Sequence, residues 1–263
     1  MVKVISIGNY KGGVGKSTLT EVLSYIFSTK YNYKTLVVDL DPQADVTFKL
    51  KNTFNEIEKE ADTDILTAMI EKRIEDARIS LHENLDIITG HNDMEDFDKF
   101  IFKTRPEEDE YIFFQKVFNE IIREYDFVFL DTRPSTAVST KNAICISDYV
   151  IITTDTKESG YRSSKKVYEF IGGLLPYNPK VRLIGVVPYL VNVRGSTSQK
   201  VKSELDNVFQ EDMYQSFIKD SDRLVTWGKY GISEKDHHDK NAMAMYEAIA
   251  KETLDRMKSQ EAE

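Results

Sequence analysis

The sequence predicts an α/β protein with a doubly wound, mostly parallel sheet and helices on both faces. Two observations carry this prediction. Short apolar runs typical of buried strands alternate with longer stretches in which apolar residues recur at helical spacing. The 263 residues are 41% hydrophobic, and no Gly/Ser-rich or Pro-rich linker divides them. We therefore expect a single domain over residues 1–263.

The elements follow from these patterns in chain order. Strands are expected at about 2–7, 35–39, 84–88, 127–131, 149–153, 183–189 and 216–218. Between the later strands, apolar residues at 167, 170, 171 and 174, and again at 201, 205, 208 and 209, recur as they do on amphipathic helices. Strands joined by helices favour crossover connections, which make neighbouring strands parallel.

A glycine-rich loop follows the first strand and precedes a helical pattern. Its glycines let consecutive backbone N–H groups turn inward on a phosphate at a helix N-terminus. Lys16 is expected to reach the β/γ oxygens, and the Ser17 hydroxyl is expected to ligate Mg²⁺. The expected cofactors are ATP and Mg²⁺. The predicted phosphate-binding residues are Lys11, Gly12, Gly13, Val14, Gly15, Lys16, Ser17 and Thr18.

A second lysine, Lys11, opens this loop five positions before Lys16. Because Lys16 already supplies a cation to its own site, Lys11 is expected to serve another site. The run KGGVGKST resembles the signature of the ParA/MinD family of deviant Walker ATPases, in which the first lysine crosses a dimer interface to the nucleotide of the facing subunit. The resemblance implies a P-loop ATPase that dimerises on ATP, with Lys11 and Lys16 as catalytic residues.

Acidic residues end two of the predicted strands. Asp39 and Asp41 flank one apolar residue, so strand alternation turns both toward the crevice where open α/β sheets bind ligands. An aspartate before proline also caps turns, which is the alternative reading of Asp41. The DxDPQ pattern resembles the family element in which the second aspartate orients the attacking water and the first helps to hold the metal's water shell. Asp131 follows four apolar residues in the Walker B form and is expected to bind Mg²⁺ through water or to hold Ser17.

The chain departs from the family pattern at three positions. Arg133 stands where a proline usually follows the Walker B aspartate. It either stabilises charge on the γ-phosphate or points outward to solvent or a partner. We favour the outward reading because Lys11 already serves the phosphate. Lys219 and Ser221 stand where the family places proline and asparagine on the adenine. They remain expected nucleotide-binding positions, with the adenine contact left to their backbone.

Charge is unevenly distributed along the chain, whose net charge is -9. Residues 51–110 carry 18 Asp/Glu and 8 Lys/Arg, whereas residues 160–203 carry 8 Lys/Arg and one acid. Phosphate contacts supply most non-specific DNA affinity, so this basic segment, doubled in a dimer, is expected to hold a duplex. The alternative is that its lysines only solvate two helices. By resemblance, Arg223 falls where chromosomal partition ATPases carry an arginine implicated in DNA binding. The predicted DNA-binding residues are Arg194, Arg223, Lys200 and Lys202.

Several classes of protein are disfavoured. A single cysteine, Cys145, speaks against the iron–sulfur relatives, which need paired cysteines. Nothing in the sequence resembles a signal peptide or a run of eighteen apolar residues, and the acidic, polar ending differs from a basic amphipathic membrane helix. Because the loop begins eight residues from the start, we expect the short form without a helix-turn-helix domain. We expect no membrane binding and a cytoplasmic, nucleoid-associated protein, with His237 and His238 in an exposed loop.

The resemblance implies a plasmid partition ATPase. ATP would drive a homodimer onto non-specific DNA, and a centromere-binding, ParB-like adaptor protein would stimulate hydrolysis and release. One alternative is a ParA-like positioning ATPase that tethers a protein cargo without binding DNA. Another is a metabolic ATP-dependent ligase of the same superfamily.

Overall fold

The computed structural model describes residues 1–262 and contains a seven-stranded sheet. Its strands are β1 (Lys3–Gly8), β2 (Thr35–Asp39), β3 (Arg78–His82), β4 (Leu85–Ile88), β5 (Phe127–Asp131), β6 (Tyr149–Asp155) and β7 (Arg182–Tyr189). They are ordered β3-β4-β2-β5-β1-β6-β7, and all neighbours are parallel except β3 and β4. The predicted fold class, a doubly wound and mostly parallel sheet, is confirmed.

Helices connect the strands and cover both faces of the sheet. They are α1 (Lys16–Tyr25), α2 (Asp45–Phe54), α3 (Ile65–Ile70), α4 (Phe97–Thr104), α5 (Asp109–Phe118), α6 (Val138–Ile146), α7 (Glu158–Leu174), α8 (Ser196–Phe209), α9 (Asp222–Tyr230) and α10 (His237–Ala262). Short 3₁₀ turns span Ile74–Ala77, Asn92–Asp96, Ile121–Glu124 and Gln210–Asp212, and a π-helical turn at Ile26–Lys30 extends α1. Within residues 1–262, every helix is too short or too polar to cross a lipid bilayer.

Alternate residues of the central strands enter different cores. Ile5 and Ile7 of β1 pack with α1 and α10, whereas Val4 of β1 packs with α3 to α6 on the other face. A further core joins β6 to α7 and α8. All residues of β2 and β5 are buried, as the strands of a two-sided parallel sheet require.

The central strands bring three predicted motifs to one edge. Asp131 of β5 pairs in register with Ile7 of β1 on one side and with Asp39 of β2 on the other. Because parallel strands share their carboxyl-end edge, the glycine-rich loop after β1 meets both aspartates there.

Three element predictions were wrong. The segment 216–218 is not a strand. Ile218 exchanges backbone hydrogen bonds with the Pro188 carbonyl and the Val191 N–H, and pairing there amounts to a single isolated bridge between Lys219 and Val191. The edge strand β3 was missed because it offers only two buried side chains, Ile79 and Leu81. The predicted loop around the two adjacent histidines is instead the exposed first turn of α10.

The start of α10 carries a cap that the sequence did show. The Asp236 carboxylate accepts a hydrogen bond from the Asp239 backbone N–H at 2.8 Å. An aspartate three residues before an orphan helical N–H is a common N-cap. The spacing of Asp236 to Asp239 thus indicates a helix start beside the two histidines for which a loop is predicted.

Candidate nucleotide-binding site

The glycine-rich loop lies between β1 and α1 in a conformation that depends on two glycines. Gly13 and Gly15 have left-handed backbone conformations, with φ of 73° and 85°. A Cβ on Gly15 would lie 2.2 Å from the ring of Tyr189 on β7, so no larger residue fits there. Helix α1 starts at the next residue, Lys16, and the loop therefore delivers its backbone N–H groups at a helix N-terminus.

Lys16 is the buried cation of this loop. Its side chain is almost fully covered, and its Nζ lies 3.4 Å from the Lys11 carbonyl oxygen. Burial lowers the pKa of Lys16, while the charges of Asp131 and Asp41 oppose that shift. A buried ammonium group interacts with an anion more strongly than an ammonium group in water does, because the effective dielectric constant around it is lower.

Oxygen ligands suited to Mg²⁺ meet beneath the loop. The Ser17 hydroxyl donates to Asp131 Oδ2 at 2.9 Å, and the Thr20 hydroxyl donates to Asp131 Oδ1 at 3.1 Å. Asp131 is fully buried, and burial raises its pKa to about 6. A hydroxyl and a carboxylate fit Mg²⁺, which usually binds one or two carboxylates together with substrate phosphates and water. The donor set therefore fits the predicted ion.

Asp39 is held firmly by its own loop. Its Oδ2 accepts hydrogen bonds from Thr47 N at 2.9 Å and from the Thr47 hydroxyl at 2.8 Å, and its Oδ1 accepts from Asp41 N at 3.2 Å. Complete burial raises the pKa of Asp39 to about 7, and the neighbouring charge of Asp131 adds to the shift. A Cβ on Gly90 would lie 2.6 Å from Asp39 Cγ, so the space around this carboxylate is filled.

Asp41 is placed differently from Asp39. It is half-buried, and among residues 1–262 its carboxylate accepts one hydrogen bond, from Gln43 N at 3.0 Å. The Asp41 carboxylate thus retains acceptor capacity toward the crevice. Asp41 also raises the pKa of Lys16 through its charge, which places both groups in one electrostatic environment.

The Lys11 side chain contacts β6 and α7 of its own chain and does not turn into the glycine-rich loop. Its Nζ lies 2.5 Å from Asp155 Oδ2 at the end of β6 and 2.8 Å from the Ser159 hydroxyl in the first turn of α7. The backbone N–H of Lys11 donates to Asn9 Oδ1 at 2.9 Å. Sequence reasoning missed Asp155, although an acid that ends a buried strand at the same edge as Asp39 and Asp131 was a visible signal.

The remaining predicted residues are spread over the last third of the chain. Lys219 is exposed, and the Ser221 hydroxyl caps α9 by accepting from Arg223 N at 3.2 Å. Arg194 and Lys200 are exposed and lack an ion-pair partner within residues 1–262, whereas Lys202 pairs with Asp206 at 3.0 Å.

Two arginines form ion pairs with carboxylates of their own chain. Arg223 pairs with Asp236 at 3.0 Å and with Asp239 at 3.3 Å. Arg133 pairs with Asp98 of α4 at 3.0 Å, so its guanidinium contacts an acid of its own chain. Sequence spacing does not reveal this acid on α4, and the role of Arg133 toward a phosphate or a partner stays a prediction.

Comparison with known proteins identifies the family. The sequence profile of a family described as an AAA domain matches residues 2–182. The virulence plasmid ParA family protein pGP5-D of Chlamydia psittaci is 27% identical over 227 residues, covering 83% of this chain and 81% of that protein. The sporulation initiation inhibitor protein Soj of Bacillus subtilis is 26% identical over 242 residues, covering 88% and 89%. The chain belongs to this AAA domain family as a ParA/MinD-type ATPase.

Several solved structures share its fold. A plasmid partition protein from Borrelia burgdorferi bound to AMPPNP superposes with a TM-score of 0.81 at 22% identity, covering 97% of this chain and all of that one. Apo McdA from Cyanothece gives a TM-score of 0.81 at 19% identity, again covering 97% and 100%. A cobyrinic acid a,c-diamide synthase from Mycobacterium smegmatis with ADP and magnesium gives 0.73 at 20% identity, covering 88% and 93%. At these identities the likeness concerns the fold.

Proposed function

We propose that this ParA/MinD-type ATPase is a DNA partition ATPase of the plasmid type. With ATP and Mg²⁺ bound, two copies associate and hold DNA non-specifically. A centromere-binding, ParB-like adaptor then stimulates hydrolysis, and the dimer releases the DNA. The protein would act in the cytoplasm on the nucleoid.

The position of Lys11 is the observation that carries this proposal. Lys16 alone serves as the buried cation of its loop, while the Lys11 ammonium lies 2.5 Å from Asp155 and away from that loop. Lys11 begins the phosphate loop without serving it, so once it leaves Asp155 it can act on a second copy. In a two-fold dimer each Lys11 would then meet the nucleotide of the facing chain.

The site residues divide the work of hydrolysis. Lys16 would hold the β/γ-phosphates. Ser17 with Asp131 would hold Mg²⁺, and Asp39 would help to hold the water shell of the ion. When bound, Mg²⁺ neutralises phosphate charge. Asp39 would fix the loop through its hydrogen bond from Asp41 N, which leaves the Asp41 carboxylate to orient water. The backbone near Lys219 and Ser221 would contact the adenine. Nucleotide binding would thereby shift the population toward the dimer.

Relatives support the partition role. One curated relative is named as a virulence plasmid ParA family protein, and one structural neighbour is a plasmid partition protein. The cargo-positioning alternative draws on a different observation: Arg223 and Lys202, half of the predicted DNA-binding set, are ion-paired within the chain. If those cations carried all DNA affinity, the chain would bind DNA poorly.

A DNA titration in three nucleotide states separates these functions. Fluorescence anisotropy with two unrelated duplexes, in ATP, ADP and no nucleotide, should give binding only with ATP. Affinity should be similar for both sequences and should fall steeply with salt, because phosphate contacts release counterions. Absence of DNA binding in every state would replace the partition role with the cargo-positioning role.

A further inference from the structure

Tyr189 lies directly behind the glycine-rich loop. It is the last residue of β7, is buried, and belongs to the same core as α1 and α10. Its ring occupies the space in which a side chain on Gly15 would begin. A Cβ on Gly12 or Gly13 would instead meet open space. Of these three glycines, Gly15 is therefore the one that rests against a side chain from a distant part of residues 1–262.

A hydrogen bond at the far end of the Tyr189 ring holds it in place. The hydroxyls of Tyr189 and of Tyr246 on α10 are bonded to each other, and both side chains are buried. The two rings meet edge to face with their centroids 6.4 Å apart, and the Tyr246 ring also packs on Trp227 of α9. A buried hydroxyl without a partner costs free energy, so the two groups stay together. The bond thus keeps the Tyr189 ring in one orientation against Gly15.

The residue after Tyr189 has an unusual backbone conformation. Leu190 has a φ of 53°, in the left-handed region that leucine seldom adopts. The following residue is again held in place, because Val191 N donates to the Ile218 carbonyl at 2.9 Å. Strain of this kind persists only where the surrounding structure enforces it, and it concentrates at functional sites. The end of β7 is therefore held in a fixed geometry beside the loop.

The position of Gly15 affects phosphate binding because α1 begins there. Gly15 directly precedes Lys16, and its carbonyl accepts a hydrogen bond from Leu19 N at 2.8 Å. The N–H groups at such a helix start are the donors that face a phosphate. If Gly15 could settle into the space that the Tyr189 ring fills, these donors would withdraw from the ligand. A displacement of about 1 Å in such a site can cost on the order of 100-fold in rate.

We propose that Tyr189 is a positioning residue for ATP binding, whose ring keeps Gly15 forward and the helix-start N–H groups aimed at the phosphates. Tyr189 lies behind the loop and acts through Gly15. The proposal concerns ATP hydrolysis alone and does not depend on whether the protein binds DNA. Because the loop holds the phosphates in the ground state and in the transition state alike, loss of the ring should raise KM for ATP much more than it lowers kcat.

The test compares Tyr189 with a matched tyrosine of the same core. Tyr214 is also buried, its ring lies against Gly185, and its hydroxyl bonds to the Thr253 hydroxyl of α10 at 2.9 Å. For Tyr189→Leu and Tyr214→Leu, phosphate release is measured over a range of ATP concentrations, with AMPPNP affinity by calorimetry and thermal unfolding in parallel. Both variants should unfold at a lower temperature than wild type. Only Tyr189→Leu should raise KM and the AMPPNP dissociation constant, by about tenfold or more, with a much smaller change in kcat.

Where Tyr189→Leu folds, a KM equal to that of Tyr214→Leu would show that Tyr189 is an ordinary core residue and would overturn the proposal. Where it does not fold, a pair of phenylalanine variants decides. Tyr189→Phe keeps the ring and loses only its hydrogen bond to Tyr246, so its KM should rise about threefold. Tyr214→Phe should keep the wild-type KM. Equal KM values for these two variants would contradict a positioning role for Tyr189.

Discussion

Replacing Glu21 with glutamine should make the protein more stable at neutral and alkaline pH. Glu21 lies on α1 with no exposed surface, and both carboxylate oxygens lack a hydrogen-bond partner within the described chain. Burial raises the pKa of Glu21 to about 8, and Lys49 and Thr53 offset only part of that shift. The native state therefore keeps a proton that the unfolded chain releases.

The size of the effect follows from this difference in pKa. A carboxyl whose folded pKa lies above its unfolded value contributes most stability below the unfolded pKa, and that contribution is lost as pH rises toward the folded pKa. Between the ordinary glutamate pKa of 4.5 and a folded pKa of about 8, the free energy of unfolding falls. The slope is about 1.4 kcal/mol per pH unit, which amounts to roughly 3 kcal/mol at pH 7. Glutamine does not titrate and avoids this loss.

Urea unfolding at pH 5, 6, 7 and 8, without nucleotide, measures the difference between wild type and Glu21→Gln. The raised pKa values of Asp39 and Asp131 affect both proteins equally and cancel in this difference. We expect the variant to gain on wild type by several kcal/mol from pH 5 to pH 8. Glu83→Gln, at an exposed position, is the matched control and should give a constant difference. A Glu21→Gln difference that is equally constant would refute the assignment of a buried, protonated carboxyl.

Three further predictions concern the loop and its supports. Lys16→Ala should abolish ATP binding in calorimetry, because it removes the buried cation of the phosphate loop; retained affinity would contradict the assignment. Gly90→Ala should cost about 2 kcal/mol or more in urea unfolding, because its Cβ would lie 2.6 Å from Asp39 Cγ, whereas Gly172→Ala, with open space around it, should be neutral or stabilising. Asp155→Asn should strengthen ATP-dependent dimerisation in sedimentation roughly 30-fold. The variant removes one Lys11–Asp155 ion pair from each of the two chains, and each pair, worth about 1 kcal/mol, keeps Lys11 on its own chain. Unchanged dimerisation would show that this contact does not restrain Lys11.

Local patterns were sufficient to predict the centre of the fold. Three short apolar runs predict strands. The glycine-rich loop follows the first of them, and Asp39 and Asp131 end the other two. Parallel pairing of β1, β2 and β5 then brings these strand ends to one edge, as the structure shows. Such positions are predictable because the period of a strand and the direction of a crossover are set by the backbone.

Contacts between distant segments were not predictable from the sequence. Lys11 and Asp155 are separated by 144 residues, and their pairing depends on how β6 lies beside β1. Arg133 meets Asp98, and Arg223 meets Asp236 and Asp239, only after helices have packed. Counting charges along the sequence treats every cation as free, so Arg223 and Arg194 are both predicted to bind DNA. The burial of Glu21 was likewise hidden, because charged residues on a helix usually face solvent.

The central claim is that Lys11 acts on the nucleotide of a facing copy, and a mixing experiment tests it directly. Lys11→Ala lacks the crossing cation, and Asp41→Ala lacks the proposed water-orienting carboxylate, so each variant alone should release little phosphate from ATP. In an equal mixture, the Lys11→Ala chain keeps its own Asp41 and receives Lys11 from its partner. Random pairing gives one complete site in half of the dimers, so activity should return to about a quarter of the wild-type value. A mixture as inactive as its components, with heterodimers present, would show that Lys11 does not act across the dimer.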